Sequence, residues 1–138
     1  MIPAGPRPPG SRPRAVWIDT DPAVGEPGRD VDDGYAILQA LRSPELGVVG
    51  ISTVFGNTSR PTCDRIAAEL LHHAGAGQVP LHSGAESAAD RDRTPASRAL
   101  ADALSEQPLT VLALGPLTNI ATALRDRPDI AERIEQLV

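Results

Sequence analysis

This sequence predicts an α/β fold of the Rossmann-like kind, with a parallel sheet and helices on both of its faces. Three observations support this prediction: short apolar runs alternate with segments of helical periodicity, breaker residues separate them, and only 2% of residues are aromatic. Strands made of Val, Ile, Leu and Ala are typical of sheets that helices cover on both faces. The 138 residues are enough for one domain with its own core.

The predicted elements form a regular series of strand and helix units. Four strands are predicted from short apolar runs at 15–21, 46–55, 79–82 and 109–114. Four helices are predicted from apolar residues three or four positions apart at 31–41, 60–74, 95–104 and 117–124. Residues 134–138 resemble the start of a further strand. We therefore expect a domain truncated on its C-terminal side, with an open sheet edge.

The first fourteen residues differ in composition from the rest of the chain. Residues 1–14 hold five prolines and no apolar run, which predicts a disordered lead-in before a domain at 15–138, and no secretory signal. The chain has a net charge of −5 and no lysine, and its arginines are scattered, so we expect no nucleic-acid partner. A single cysteine and the lack of a long apolar run predict a cytoplasmic protein without a membrane span.

Acidic residues follow the first predicted strand and begin the first predicted helix. Asp19 and Asp21 alternate along the strand and are therefore expected to point to the same side. Asp32 and Asp33 begin the helix; capping explains them, but it does not explain acids at the end of a buried strand. Clustered carboxylates repel one another unless a cation neutralises them, and an all-oxygen set of ligands favours Ca²⁺ or Mg²⁺ over Zn²⁺. The sequence therefore predicts a metal site at this edge of the sheet.

Three segments, in this order, resemble the inosine/uridine-preferring nucleoside hydrolases. That family has the motif Asp-x-Asp-Pro-Gly-x-Asp-Asp after its first strand. Here the similar segments are Asp19-Thr20-Asp21-Pro22 with Asp32-Asp33 after an insertion, Val54-Phe55-Gly56-Asn57, and the run LGPLTNIA at 114–121. The resemblance extends from about Ala15 to the end of the chain. It implies the first half of an α/β domain of the nucleoside hydrolase type.

The resemblance also implies roles for individual residues. Asp21 and Asp33 would ligate Ca²⁺ through their carboxylates, and Thr118 would do so through its backbone carbonyl. Asp32 and Asn57 would hold ribose hydroxyls. As the catalytic residue, Asp21 would also accept a proton from the metal-bound water that attacks the anomeric carbon. The implied reaction is hydrolysis of the N-glycosidic bond of a nucleoside to ribose and free base, in a homodimer or homotetramer.

Two segments depart from the family pattern. The loop 23–31 replaces a short Gly-x link, and its Glu26 and Asp30 are candidates to supplement the site. Residues 85–98 replace a segment with a His-Gly pair and further glycines, so we expect different contacts with the base. The family's last calcium-ligating Asp and its neighbouring His have no counterpart here. We therefore expect this chain alone to form an incomplete site.

Two other functions fit parts of the sequence. An apolar strand ending in Asp-x-Asp also resembles the first motif of haloacid dehalogenase-like phosphatases, although that family usually needs a later lysine and this chain has none. The second alternative is a non-catalytic half-domain that binds calcium, or binds a partner through its open sheet edge.

Overall fold

The computed structural model describes residues 10–138 of the chain. Strands and helices alternate along this part. They are β1 (Arg14–Thr20), α1 (Asp32–Arg42), β2 (Leu46–Thr53), α2 (Arg60–His73), β3 (Leu81–Ser83), α3 (Pro95–Glu106), β4 (Leu109–Ala113), α4 (Thr118–Asp126), a 3-10 helix (Pro128–Arg133) and β5 (Ile134–Leu137). The predicted series of strand and helix units is confirmed, including the strand near the end of the sequence. The 3-10 helix was not predicted.

Most of the predicted lead-in falls on residues 1–9, which lie outside the described residues. Its last residue belongs to the domain, because β1 begins at Arg14 and not at Ala15. The backbone N–H of Arg14 donates a hydrogen bond to the carbonyl of Glu45 at 2.8 Å, which explains the earlier start of the strand. None of the helices in 10–138 combines the length and the hydropathy that crossing a bilayer requires.

Local sequence signals explain where the helices begin. Ser59 precedes α2 and accepts a hydrogen bond from the backbone N–H of Thr62 at 3.4 Å. Thr94 and Ser97 bond reciprocally at the start of α3, the capping arrangement that satisfies two free N–H groups of a first turn. α1 has no such side-chain cap, but acids occupy its first turn, where the helix dipole favours negative charge.

The five strands form one parallel sheet in the order β3-β2-β1-β4-β5. β1 is central, and its end is level with the ends of both neighbours, since Thr20 pairs with Thr53 and Asp19 with Ala113. The segments that follow β1, β2 and β4 therefore leave the sheet side by side. Ligands of α/β proteins bind at this edge of the sheet.

Helices cover both faces of the sheet, as predicted. On one face, α1 and α2 bury Ile37, Ala40 and Leu71 against the β-strand residues Val16, Ile18 and Ile51. On the other face, α3 and α4 bury a second cluster, made of Trp17, Leu100, Ala101, Leu104, Leu109, Val111, Ile120, Ala123 and Ile130. Alternate residues of β1 enter the two clusters, because successive strand side chains point to opposite faces.

Candidate functional site

A cleft of about 260 Å³ opens at the carboxyl edge of the sheet. It is lined by Asp21, Asp30, Asp32, Asp33, Asn57 and Leu114. The structure thus brings together four of the five site residues predicted from the sequence, although they come from three separate segments. The lining is mostly polar oxygen, which suits a cation or a sugar better than an apolar ligand.

The carboxylate of Asp33 joins the start of α1 to the end of β1. Its Oδ2 accepts hydrogen bonds from the hydroxyl of Thr20 at 2.6 Å and from the backbone N–H of Asp21 at 3.0 Å. Asp33 is only 7% exposed. The insertion at 23–31 therefore does not separate the helix acids from the strand end, and the expected juxtaposition of Asp21 and Asp33 is present.

Two loops close over the carboxylate of Asp21. Its Oδ2 accepts a hydrogen bond from the backbone N–H of Asn57 at 2.7 Å, in the loop after β2. A side chain at Gly56, whose φ is +149°, would overlap with that same oxygen, and one at Gly115 would lie 3.2 Å from the Asp21 Cγ. The glycines at 56 and 115 thus let the backbone approach the carboxylate closely.

The electrostatics of the cleft favour a bound cation. Burial raises the pKa of Asp21 to about 7, and the adjacent Asp33 carboxylate adds to the rise, while the N–H of Asn57 opposes it. Holding both carboxylates ionised is therefore costly without a neutralising charge. Each of the two holds its Oδ2 in hydrogen bonds to neighbouring donors, which leaves Oδ1 for a ligand. An oxygen-only set of this kind fits a hard divalent cation.

Two carboxylates alone would not complete the coordination shell of a cation. Within residues 10–138, no group of three or more His, Cys, Asp or Glu side chains is close enough together to hold a metal ion. Calcium takes about six to eight oxygen ligands in proteins. Backbone carbonyls, water or further side chains would have to supply the remainder.

Thr118 lies apart from the cleft lining. It begins α4 and borders a separate surface depression with Arg91, Leu117 and Arg125, among others. Its connection to the site runs through the loop that also contains Gly115, which packs against Asp21. The proposed ligation by its backbone carbonyl stays a prediction.

Asp19 does not join Asp21 in the cleft, so the expectation that the two carboxylates converge is wrong. Asp19 is 0% exposed and lies inside the sheet edge, where Ser52 Oγ and Asn119 Nδ2, the latter at 2.8 Å, donate to its Oδ1. Burial raises its pKa to about 6. β1 ends at Thr20, so Asp19 lies within a buried part of the strand, whereas Asp21 lies in the loop that follows it.

Asn119 is a structural residue of the site that the sequence reasoning passed over. Its Nδ2 also donates to the carbonyl of Thr53 at 2.9 Å, and its Oδ1 accepts from the N–H of Ala85 at 2.9 Å. One buried amide therefore ties together the ends of β1, β2 and β3. Its place within the LGPLTNIA run, directly after Thr118, was the available signal.

The two candidates from the inserted loop have different positions. Glu26 forms an ion pair with Arg65 of α2 at 2.8 Å and is not among the residues lining the cleft. Asp30 does line it. The backbone of Asp30 also contacts the side chain of Asn57, with its N–H donating to Oδ1 at 3.4 Å and its carbonyl accepting from Nδ2 at 3.1 Å.

The position of Asp19 argues against a phosphatase of the haloacid dehalogenase type. In the resemblance to that family, the strand-end Asp-x-Asp supplies a nucleophile. Here the first of these aspartates is fully buried and hydrogen-bonded within the protein, so its carboxylate is not accessible to a phosphate ester.

Known proteins with similar sequences and folds are nucleoside hydrolases by name. A protein named "Probable uridine nucleosidase 2" from Oryza sativa subsp. japonica is 31% identical over 89% of this chain and 43% of its own length. The "Non-specific ribonucleoside hydrolase RihC" of Salmonella agona is 35% identical over 89% of this chain and 47% of its own. The solved structure of a plant nucleoside hydrolase, the PpNRh1 enzyme, superimposes with a TM-score of 0.78 at 33% identity, covering 91% of this chain and 47% of that one.

The chain thus spans a little under half the length of these relatives. A family model described as inosine-uridine preferring nucleoside hydrolase matches residues 16–138, which is nearly all of the described structure. The matched residues include every segment that forms the cleft. The chain therefore belongs to the inosine-uridine preferring nucleoside hydrolase family.

Proposed function

We propose that the protein hydrolyses the N-glycosidic bond of ribonucleosides to ribose and free base, and that this chain holds the ribose and a calcium ion. The observation that carries the proposal is the cleft in which Asp21, Asp32, Asp33 and Asn57 meet. The names of the rice and Salmonella relatives support ribonucleosides as the substrate class.

Asp21 and Asp33 are the residues that would hold the calcium ion, together with the backbone carbonyl of Thr118. When bound, calcium would orient water and sugar together and make the water more acidic. The adjacent carboxylates and the raised pKa of Asp21 fit this role, because a cation relieves the cost of ionising both groups.

Asp21 also suits the role of general base. Bound calcium would keep this buried carboxylate ionised, which a proton acceptor requires. The N–H of Asn57 and the packing of Gly56 and Gly115 fix the orientation of its carboxylate. The carboxylate can therefore take a proton from the water that attacks the anomeric carbon.

Asp32 and Asn57, which both line the cleft, would hold the sugar. Asp32 Oδ1 accepts a hydrogen bond from the backbone N–H of Asp33 at 3.1 Å, which fixes the side chain at the start of α1. Its other oxygen remains for a ribose hydroxyl. Carboxylates beside the sugar also stabilise the positive charge that develops on the ring in an oxocarbenium-like transition state.

Calcium binding without turnover is a second candidate function. It is favoured by the small number of carboxylate ligands that residues 10–138 bring together. In this case the chain would be a half-site that binds calcium, or a partner, without catalysis.

A calcium titration by calorimetry, followed by a reducing-sugar assay with inosine and uridine, separates these functions. We expect wild type to bind calcium and Asp33→Asn, which keeps a hydrogen-bond acceptor for Thr20, to lose most of that binding. Asp92→Asn, which removes an exposed aspartate outside the cleft, is the matched control and should bind like wild type.

Calcium binding with sugar release supports the hydrolase, and binding without sugar release from either nucleoside supports the half-site. Equal calcium affinity in wild type and Asp33→Asn would contradict the assignment of Asp33 as a calcium ligand, for the hydrolase and for the half-site alike.

A further inference from the structure

We propose that Asp30, which comes from the inserted loop 23–31, is a sugar-recognition residue whose carboxylate binds neighbouring hydroxyls of the ribose. The inference rests on the proposed function, and it assigns a role to a residue outside the motif that resembles the family. The loop that interrupts the motif would then add a contact to the site.

Asp30 has the position that this role requires. It lines the 260 Å³ cleft together with Asp21, Asp32, Asp33 and Asn57. It lies in the inserted loop just before α1, whereas Asp32 and Asp33 lie in the first turn of α1. A ligand held between Asp32 and Asn57 would therefore lie in a cleft that Asp30 also lines.

The loop is held in place at several points. Its two turns are closed by hydrogen bonds from Glu26 N–H to the carbonyl of Ala23 at 3.0 Å and from Arg29 N–H to the carbonyl of Glu26 at 3.3 Å. Gly25 and Gly28 supply the positive φ values, +88° and +70°, that these turns need. The Glu26–Arg65 ion pair attaches the loop to α2.

Asn57 fixes Asp30 itself. Its amide contacts both main-chain polar groups of Asp30, accepting from the N–H at 3.4 Å and donating to the carbonyl at 3.1 Å. These contacts occupy one amide hydrogen and one oxygen lone pair of Asn57, which leaves it less capacity for sugar hydroxyls. The Asp30 carboxylate, an acceptor with two oxygens, matches two hydroxyl donors on adjacent carbons of a ribose.

The test relies on the fact that Asn57 holds only the main chain of Asp30. Asp30→Ala removes the carboxylate and keeps those two backbone contacts, so the loop should stay in place. Asp30→Asn keeps the size of the side chain and removes its charge. Asp92→Ala removes an exposed loop aspartate outside the cleft and serves as the matched control.

The probes are calcium, methyl β-D-ribofuranoside and its 2-deoxy counterpart, each titrated by calorimetry into the full chain, with the sugars added at saturating calcium. We expect Asp30→Ala to weaken ribofuranoside binding by about tenfold or more, as for loss of a hydrogen bond to a charged group, with Asp30→Asn intermediate. Calcium affinity should stay within about twofold, and the preference for the ribo over the deoxy sugar should fall.

Unchanged ribofuranoside affinity in Asp30→Ala, with wild type binding the sugar, would overturn this inference and leave the proposed function standing. A matching loss of calcium affinity would make Asp30 a cation ligand, which also overturns it. If calcium-loaded wild type fails to bind the ribofuranoside, the proposed function itself fails.

Discussion

At the scale of single residues, the clearest effect is that burial of Asp21 disfavours the ionised form of its carboxylate. Asp21 is only 7% exposed and its carboxylate is adjacent to that of Asp33, so burial and the second charge raise its pKa from 3.8 to about 7. A raised pKa means that the folded protein keeps a proton that the unfolded chain has released. The contribution of this proton to the free energy of unfolding is fully present below pH 3.8 and is lost as the pH rises through about 7.

Calcium should reverse that pH dependence. Without calcium, we expect the stability of wild type, relative to Asp21→Asn, to fall between about pH 4 and pH 7. With excess calcium, wild type should be stabilised more at pH 8 than at pH 5, because the cation binds the ionised carboxylates. Thermal unfolding of both proteins, in EDTA and in calcium, measures the two effects. A calcium-induced shift in melting temperature that is equal at pH 5 and pH 8 would contradict the prediction.

The site residues differ in how well the sequence predicts them. Asp21, Asp32, Asp33 and Asn57 stand in short motifs at strand ends and a helix start, and the topology of a parallel sheet brings such positions together. The environment of Asp19 was not predictable from strand alternation. It depends on Asn119, a partner 100 residues away, and on where β1 stops.

At the scale of elements, the loops after β2 and β4 determine how closely the backbone approaches Asp21. Gly56 combines a positive φ with a direct approach to the Asp21 carboxylate. Gly75, which follows α2, also has a positive φ, of +68°, but open space surrounds the position of its missing side chain. A side chain at either glycine would strain the backbone, but only one at Gly56 would also contact the site.

Gly56→Ala and Gly75→Ala should both lower the melting temperature, because each forces an alanine into a strained conformation. Only Gly56→Ala should also displace Asp21 and weaken calcium binding, by about tenfold or more if the carboxylate loses contact with the cation. Calorimetry with calcium on both variants tests this. Equal calcium affinity in the two variants would show that the contact at Gly56 is unimportant.

Asn119 connects three strand ends and should be a major source of stability at this edge. Asn119→Ala leaves the N–H of Ala85, the carbonyl of Thr53 and the Asp19 carboxylate without this partner. We expect a loss of about 2–4 kcal/mol in the free energy of unfolding, the range for breaking a buried polar network.

Urea unfolding measures that loss. Arg125→Ala, which removes an exposed side chain from the same helix, is the control and should cost less than about 1 kcal/mol. An equal change in both variants would argue against the role of Asn119.

Element types were more predictable than loop conformations. Apolar periodicity indicates each α-helix and strand, with ends that differ from the structure by at most two residues. The loop 23–31 was recognised as an insertion, but its path depends on Gly25, Gly28 and contacts with Arg65 and Asn57. Such tertiary contacts leave no periodic signal in the sequence.

At the scale of the whole molecule, one sheet separates two apolar clusters. Ile37 of α1 is fully buried in one cluster, and Leu104 of α3 is fully buried in the other. The fold class was predictable because burial on both faces requires strands with consecutive apolar residues, such as residues 15–18 of central strand β1. Parallel order followed from the helix between each pair of strands.

The two clusters should contribute independently to stability. Ile37→Ala and Leu104→Ala should each cost about 2–5 kcal/mol, as expected for deleting buried aliphatic groups. Their effects should add in the double variant to within about 0.5 kcal/mol, because the side chains pack on opposite faces of the sheet. Urea unfolding of the single and double variants measures this. A large departure from additivity would show that the two faces communicate through the sheet.

The strand order also has a consequence for synthesis of the protein on the ribosome. Central strand β1 emerges first and can pair with β2 soon afterwards, but its other neighbour, β4, begins only at Leu109. At about 5–20 residues per second, β1 waits several seconds with one edge unpaired. The amide of Asn119, which locks the strand ends, is translated later still. The nascent chain is therefore most vulnerable to wrong strand pairing during this interval, and the cleft can assemble only after it ends.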